Sequence, residues 1–255
     1  MKLSDGSTVE VSGITLGGDG IDAFVGIGPF FIDSNNDGVI DDSDDTSDEA
    51  IGLTIEDLTF GAALLTEIGP DGHRTFTTVS ATAARAALVG VPLLDAEVNL
   101  IQIGVNISTD VDDPQADAPV LDFRNSDDPF VVKTGGRDTP LGFDRRVIGA
   151  QAGLVTLAVS DFVFLQGSFL FEQSVEQVTL TNGVSLAVDV LTIGGAGISA
   201  FAGMGPYFVD SDGDGRITKN DETADDAVGV AIEGLRFGLG IFTERTLAAQ
   251  KLKFL

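Results

Sequence analysis

The stretch VTLTNGVSLAVDV, Val178 to Val190, decides the fold class. Two segments of alternating apolar and polar residues flank Asn182-Gly183. That dipeptide tolerates the positive φ angles of a two-residue hairpin turn, so the pattern predicts a β-hairpin. Val184, Leu186, Val188 and Val190 fall on one face. A similar turn, Asp5-Gly6, sits in DGSTVEVSG. LVTLAVSDFVFLQGSFLFEQ (154–173) also alternates, through Leu157 and Val159, then Phe162 and Phe164, then Phe169 and Phe171, with a phase switch at Ser160-Asp161 that predicts a bulge or bend. NLIQIGVNIS (99–108) and AVGVAIEGLRFGLGIFT (227–243) add further short strands of period two. The one stretch with helix propensity, SATAARAALVG (80–90), is diluted by threonine and valine, and its neighbours favour strand. The expectation is an all-β chain of short strands and hairpins. A solenoid, a stacked sandwich and an elongated sheet are all compatible with it.

Outward from the hairpin lies GPYFVDSDGDGRITKND (205–221). An EF-hand-like calcium loop needs oxygen ligands at positions 1, 3 and 5, a backbone carbonyl at 7, a carboxylate at 12 and glycine at 6. Counted from Asp210, these are Asp210, Asp212, Asp214, the Arg216 carbonyl and Asp221, with Gly215 at the turn. GPFFIDSNNDGVIDDSD, upstream, gives Asp33, Asn35, Asp37, the Val39 carbonyl and Asp44, with Gly38 at the turn. The last ligand is aspartate in both loops, a shorter arm than the usual glutamate. Asn35 also brings one charge fewer to the first loop. Both loops are expected to bind calcium.

Asp33 and Asp210 are 177 residues apart, and a shift of 177 aligns far more than the loops. Roughly half of the positions from Gly6 to Glu67 recur unchanged between Gly183 and Glu244. The expected organisation is one repeat period over 1–177 and part of a second over 178–255. The chain opens in mid-unit, since Leu3 aligns with Leu180, as expected of a window from a longer tandem array. RTLAAQKLKFL (245–255) aligns only weakly with the stretch from Arg74.

With 40 acidic and 14 basic residues the net charge is −26, which disfavours nucleic acid and anionic membrane surfaces and favours divalent cations. No apolar run approaches the roughly 18 residues of a membrane span, so no membrane insertion is expected. Cysteine is absent, which excludes disulfides and thiol chemistry. The single histidine, His73, sits in IGPDGH and reads as an exposed turn residue, leaving nothing for a Ser-His-Asp triad. No enzyme is expected, although paired carboxylates of the glycosidase kind are available anywhere in so acidic a chain.

Two motifs are set aside. GGDGIDAFV (17–25) fits the nonapeptide of calcium β-rolls, but that roll needs many stacked copies, and GGAGISAFA (194–202) has Ser199 in place of Asp22. It reads as a structural turn. The same glycines imitate a dinucleotide fingerprint, with no βαβ unit to follow it. Two acidic stretches, STDVDDPQADAP (108–119) and RNSDDPF (124–130), read as solvated turns that offer further cation sites at most.

The repeated string GGxGIxAFxGxGPxF, followed by DSxxDG and DxAxGxxIExLxFG, resembles modules of very long bacterial exported, adhesin-like proteins with tandem repeats and calcium loops. The resemblance covers about Asp5–Glu67 and Asn182–Glu244, with SATAARAALVGVP (80–92) between them. It implies an extracellular or cell-surface location and a calcium-stabilised structural role in adhesion or in filament and matrix scaffolding. Neighbouring repeats or subunits of the same protein are the implied partners. The alternative is a calcium-dependent carbohydrate- or surface-binding module with surface glycans as partners. The lack of tryptophan and the single tyrosine, Tyr207, favour the scaffold.

Overall fold

The computed structural model describes residues 1–40, 43–69, 74–112, 118–124, 130–218 and 220–245, none of them helical. Twelve strands follow one another: β1 (Val11–Ile27), β2 (Ile51–Glu67), β3 (Arg74–Val89), β4 (Leu94–Asp110), β5 (Val131–Val132), β6 (Thr139–Pro140), β7 (Val147–Val159), β8 (Val163–Thr179), β9 (Ser185–Met204), β10 (Phe208–Val209), β11 (Glu222–Thr223) and β12 (Val228–Glu244). Eight form one antiparallel sheet in the order β1-β2-β3-β4-β7-β8-β9-β12, a meander in which each long strand pairs with the next. The all-β expectation is met, and a parallel solenoid is excluded by the antiparallel pairing.

The strands are long rather than short. Seventeen residues, as in β2, extend about 55 Å at some 3.3 Å per residue. The sequence reads as shorter pieces because several strands are kinked halfway. Gly20, Asp57, Leu100, Gly197 and Gly234 all have positive φ within strands, and the ladder shifts register around Gly20 and Gly234. Each kink switches which parity of residue faces which side, breaking the alternation that marks a continuous strand. GGDGIDAFV is accordingly a kinked segment within β1 and not a turn. Ser160-Asp161, by contrast, is no bulge. With Ser160 at φ 47°, it turns the chain between β7 and β8. Phe162 lies in that turn, so it does not share a strand face with Phe164. SATAARAALVG lies in β3. The Asn182-Gly183 turn joins β8 to β9, with Gly183 at φ 83° donating to the Leu180 carbonyl at 2.9 Å.

The two faces of the sheet differ sharply. On one, a row of cross-strand partners runs through all eight strands as Val25, Leu53, Leu88, Ala96, Leu157, Leu165, Ala200 and Ile232. No described segment crosses this face, and Leu53, Ile103, Phe171, Leu239 and many like them stay exposed. The neighbouring row on the other face reads Thr54, Ala87, Glu97, Thr156, Gln166 and Ser199. The connections fold over this polar face. The segment before β1 and the one between β4 and β7 cover its β2–β3 region, where Leu3, Val9, Ala63, Leu65, Phe76, Leu121, Phe123, Val132 and Leu141 form the main core. Gly17 and Gly61 allow the close approach: a Cβ on Gly17 would lie 2.6 Å from the Lys133 carbonyl oxygen. Asn106, fully buried, ties the covering segment down. It donates to the carbonyls of Leu121 at 2.9 Å and Arg145 at 3.0 Å and accepts from the Thr78 hydroxyl.

The connections β1–β2 and β9–β12 each hold one acidic loop. The flanking hairpins have the same register at a shift of 177: Val11 faces Glu67, and Val188 faces Glu244. His73, residues 113–117 and 125–129 of the two acidic stretches, and residues 246–255 lie outside the described residues.

Candidate metal centre

Both acidic loops are built alike. In the second, Asp210 accepts from the amides of Gly213, Asp214 and Gly215, Asp212 from that of Asp214, and Asp214 from that of Arg216. In the first, Asp33 accepts from the amides of Asp37 and Gly38, Asn35 from that of Asp37, and Asp37 from that of Val39. Short acidic side chains turning back onto amides two to five residues ahead wind the backbone into a tight coil. Gly38 at φ 86° and Gly215 at φ 77° supply the left-handed step that a side chain would resist.

The coil gathers carboxylates. Oxygen atoms of Asp210, Asp212 and Asp214 lie within 4.8 Å of one another, the one such group among the described residues. Two oxygens on a common calcium, each 2.3–2.6 Å away, stand up to about 5 Å apart, so the spacing fits the ion. The crowding shows in protonation. The Asp214 amide draws Asp212 down, but desolvation and the charges of Asp214, Asp221 and Asp210 outweigh it and raise its pKa above the ordinary value. A cation would relieve this repulsion.

The last template position is used differently. Asp221 lies outside the cluster of three. One of its oxygens accepts from the amide and hydroxyl of Ser211 and the other from the Thr218 amide, which together with the Ser211 contact hold its pKa low. Asp44 does the same for Ser34 and Asn35. These residues lace the end of each loop to its start. In the first loop Asn35 stands between Asp33 and Asp37, and its amide nitrogen donates to Asp37. Val39 and Arg216 follow the turn glycines, as the template requires, and their amides donate to Asp37 and Asp214.

Aromatic rings latch each loop to its hairpin. Phe24 lies over the cross-strand pair Gly26–Gly52, where a Cβ on either glycine would come within 2.7 Å of the ring, and it stacks on Phe30 with centroids 5.5 Å apart. Phe201 lies likewise over Gly203–Gly229 and stacks on Tyr207 at 5.5 Å. This explains the AFxGxGPxF string: the phenylalanine fills the space that the glycines leave and meets the aromatic residue after the proline.

Two residues that the sequence does not mark as part of the site also hold the second loop. Gln166 of β8, buried to 4 % exposure, accepts from the Ile217 amide at 2.6 Å and donates to the Gly215 carbonyl at 3.2 Å. Phe164, two residues earlier on the same face, packs against Phe208 at 5.4 Å. A glutamine within an alternating strand carries no local signal of this role, because its partners are about 50 residues away.

No helix among the described residues is long and apolar enough to cross a membrane. Compared with known protein families, with characterised proteins and with solved structures, the chain matches none.

Proposed function

We propose that the chain is a calcium-stabilised structural repeat of a large extracellular or cell-surface bacterial protein, serving adhesion or filament and matrix scaffolding. One observation carries the reading. Two acidic coils of the same design close the same end of two hairpins of the same register, each latched to its hairpin by an aromatic stack. An ion held there clamps a hairpin end, a structural role and not a sensor's. The proposed ligands are Asp210, Asp212, Asp214 and the Arg216 carbonyl in one loop, and Asp33, Asn35, Asp37 and the Val39 carbonyl in the other. Asp221 and Asp44 lace the loops and turn towards the ion when it binds. Extracellular calcium, at millimolar concentration, fills even sites with dissociation constants of 10⁻⁴ to 10⁻³ M. Partners in this reading are neighbouring repeats of the same protein, and no catalysis is assigned.

Isothermal titration of metal-stripped protein tests it. Two calcium ions should bind, and Asp214→Ala should remove one of them while sparing the Asp33 loop. A stoichiometry of zero ends the proposal.

A further inference from the structure

We propose that the open edge of β1, together with the first acidic loop, is a docking site for a strand like β8 supplied by another unit of the same protein. This deepens the repeat reading above and rests on it. β8 shows what such a strand does. It pairs with β9 over its whole length, from Val163 opposite Ala202 to Thr179 opposite Ser185. From the same strand, Gln166 bonds both sides of Gly215–Ile217 and Phe164 packs on Phe208, so the second loop is held by its neighbour as well as by its own hairpin. Gly167 leaves a hollow, 2.8 Å from the Ile198 side chain, that lets Ile198 sink to 4 % exposure.

β1 carries the same receiving surface with no strand beside it among the described residues, where it forms one edge of the sheet. Its kink at Gly20, φ 63°, matches that at Gly197, φ 60°. Phe31, Gly38 and Ile40 occupy the positions of Phe208, Gly215 and Ile217, and Ile40 is 55 % exposed where Ile217 is partly covered. Ile21, at the position of Ile198, is only half-buried. The chemistry asked of the occupant is therefore Phe-x-Gln-Gly within an alternating strand. The Phe stacks on Phe31, the Gln bridges the Gly38 carbonyl and the Ile40 amide, and the Gly receives Ile21.

The register follows from β8 and β9. Phe171 faces Ile193, so on β1 it faces Leu16, while Val163 faces Val25. Apolar residues of the incoming strand then meet those of β1 on the uncovered face, and the apolar row extends across the junction. β12, the other edge, offers the outer side of a β2-like strand and should take a β3-like strand instead.

The absence of native cysteine makes the test direct. A peptide of residues 163–179 carrying Phe171→Cys is mixed with the full chain carrying Leu16→Cys, Val25→Cys or Val230→Cys under mild oxidation. All three positions are exposed, so the chain should tolerate them. Paired residues on adjacent antiparallel strands stand about 4.5–5.5 Å apart, within disulfide reach. The L16C chain should link at least tenfold faster than V25C or V230C, and adding Gln166→Ala to the peptide should slow it severalfold. In a chain carrying Asp214→Ala, the wild-type peptide should also tighten calcium binding at the remaining first loop. Equal linkage at all three positions, no linkage, or L16C chains linking to one another in preference to the peptide would each overturn the proposal, the last by showing that the edge takes a second copy. Linkage is read without metal, so a failed calcium titration with intact, position-specific linkage would sink the ion reading alone.

Discussion

Asn106 offers the sharpest energetic test of how the covering segment is held. Its side chain is fully buried on the polar face and serves three partners: the Leu121 and Arg145 carbonyls and the Thr78 hydroxyl. Asn106→Ala removes all three bonds and leaves the buried Thr78 hydroxyl and Leu121 carbonyl and the partly buried Arg145 carbonyl to find other partners, with no side chain to fill the space. A lost intramolecular bond costs about 1 kcal/mol net, and each buried group left unpaired costs about 1–3 kcal/mol. Allowing for relaxation of the carbonyls, the total comes to about 3–5 kcal/mol. At 2–4 °C per kcal/mol for a chain of this size, the melting temperature should fall by roughly 6–20 °C. Urea denaturation followed by circular dichroism reads the stability. Limited proteolysis should show cutting between β4 and β7 ahead of the sheet. Asn99→Ala is the control, because Asn99 is only half-buried on the same strand and bonds the Glu97 carboxylate. If Asn106→Ala costs no more than Asn99→Ala, or less than about 1 kcal/mol, the buried amide does not hold the segment.

Other outcomes follow from the loops and from the ion pairs of Arg85. Chelation at constant ionic strength should lower the melting temperature, since an ion bound only by the folded state adds about 2.7 kcal/mol at 100 times its dissociation constant, and magnesium should substitute poorly. Superimposable melting curves would leave both loops as ordinary acidic turns. Gln166→Ala should weaken calcium binding at the second loop by roughly tenfold, equivalent to about 1.4 kcal/mol, and spare the first loop; a titration showing both sites unchanged contradicts the assigned role. Gly203→Val should displace the Phe201 ring and expose Tyr207, which an increase in fluorescence quenching by iodide would report. Arg85 bridges Glu56 and Glu97, and although desolvation pushes Glu97 up, hydrogen bonds from Arg85 and Asn99 and the Arg85 charge leave its pKa lowered. A lowered carboxyl stabilises the fold above its ordinary value of 4.5, and that contribution disappears as pH falls through the folded value. Arg85→Met should therefore cost more stability at pH 7 than at pH 3, and an equal loss at both would refute the coupling.

The candidate site was legible to different depths. The Asp-x-Asp-x-Asp-Gly spacing is a local pattern, so the coil, its turn glycine and the clustering of Asp210, Asp212 and Asp214 could be placed from residues within a few positions of one another. The roles of Asp44 and Asp221 could not. Whether the last carboxylate meets an ion or ties off Ser34 and Ser211 depends on where the loop's far end sits, which its hairpin decides.

By itself the sequence determined the strand class, the Asn182-Gly183 turn, the two acidic coils and the alternation of apolar and polar residues. All of these rest on interactions between near neighbours in the chain. Only the tertiary structure decided that short alternating pieces join into strands of about 17 residues, because the mid-strand kinks reverse parity and hide continuity from a period-two reading. Only it placed Gln166 and Phe164 against the second loop, Asn106 beneath the covering segment, and an apolar row across eight strands on one uncovered face. The physical reason is register. Alternation tells each strand that it has two faces, but which residues become neighbours across the sheet is set by pairing between distant segments, and no single strand carries that information alone.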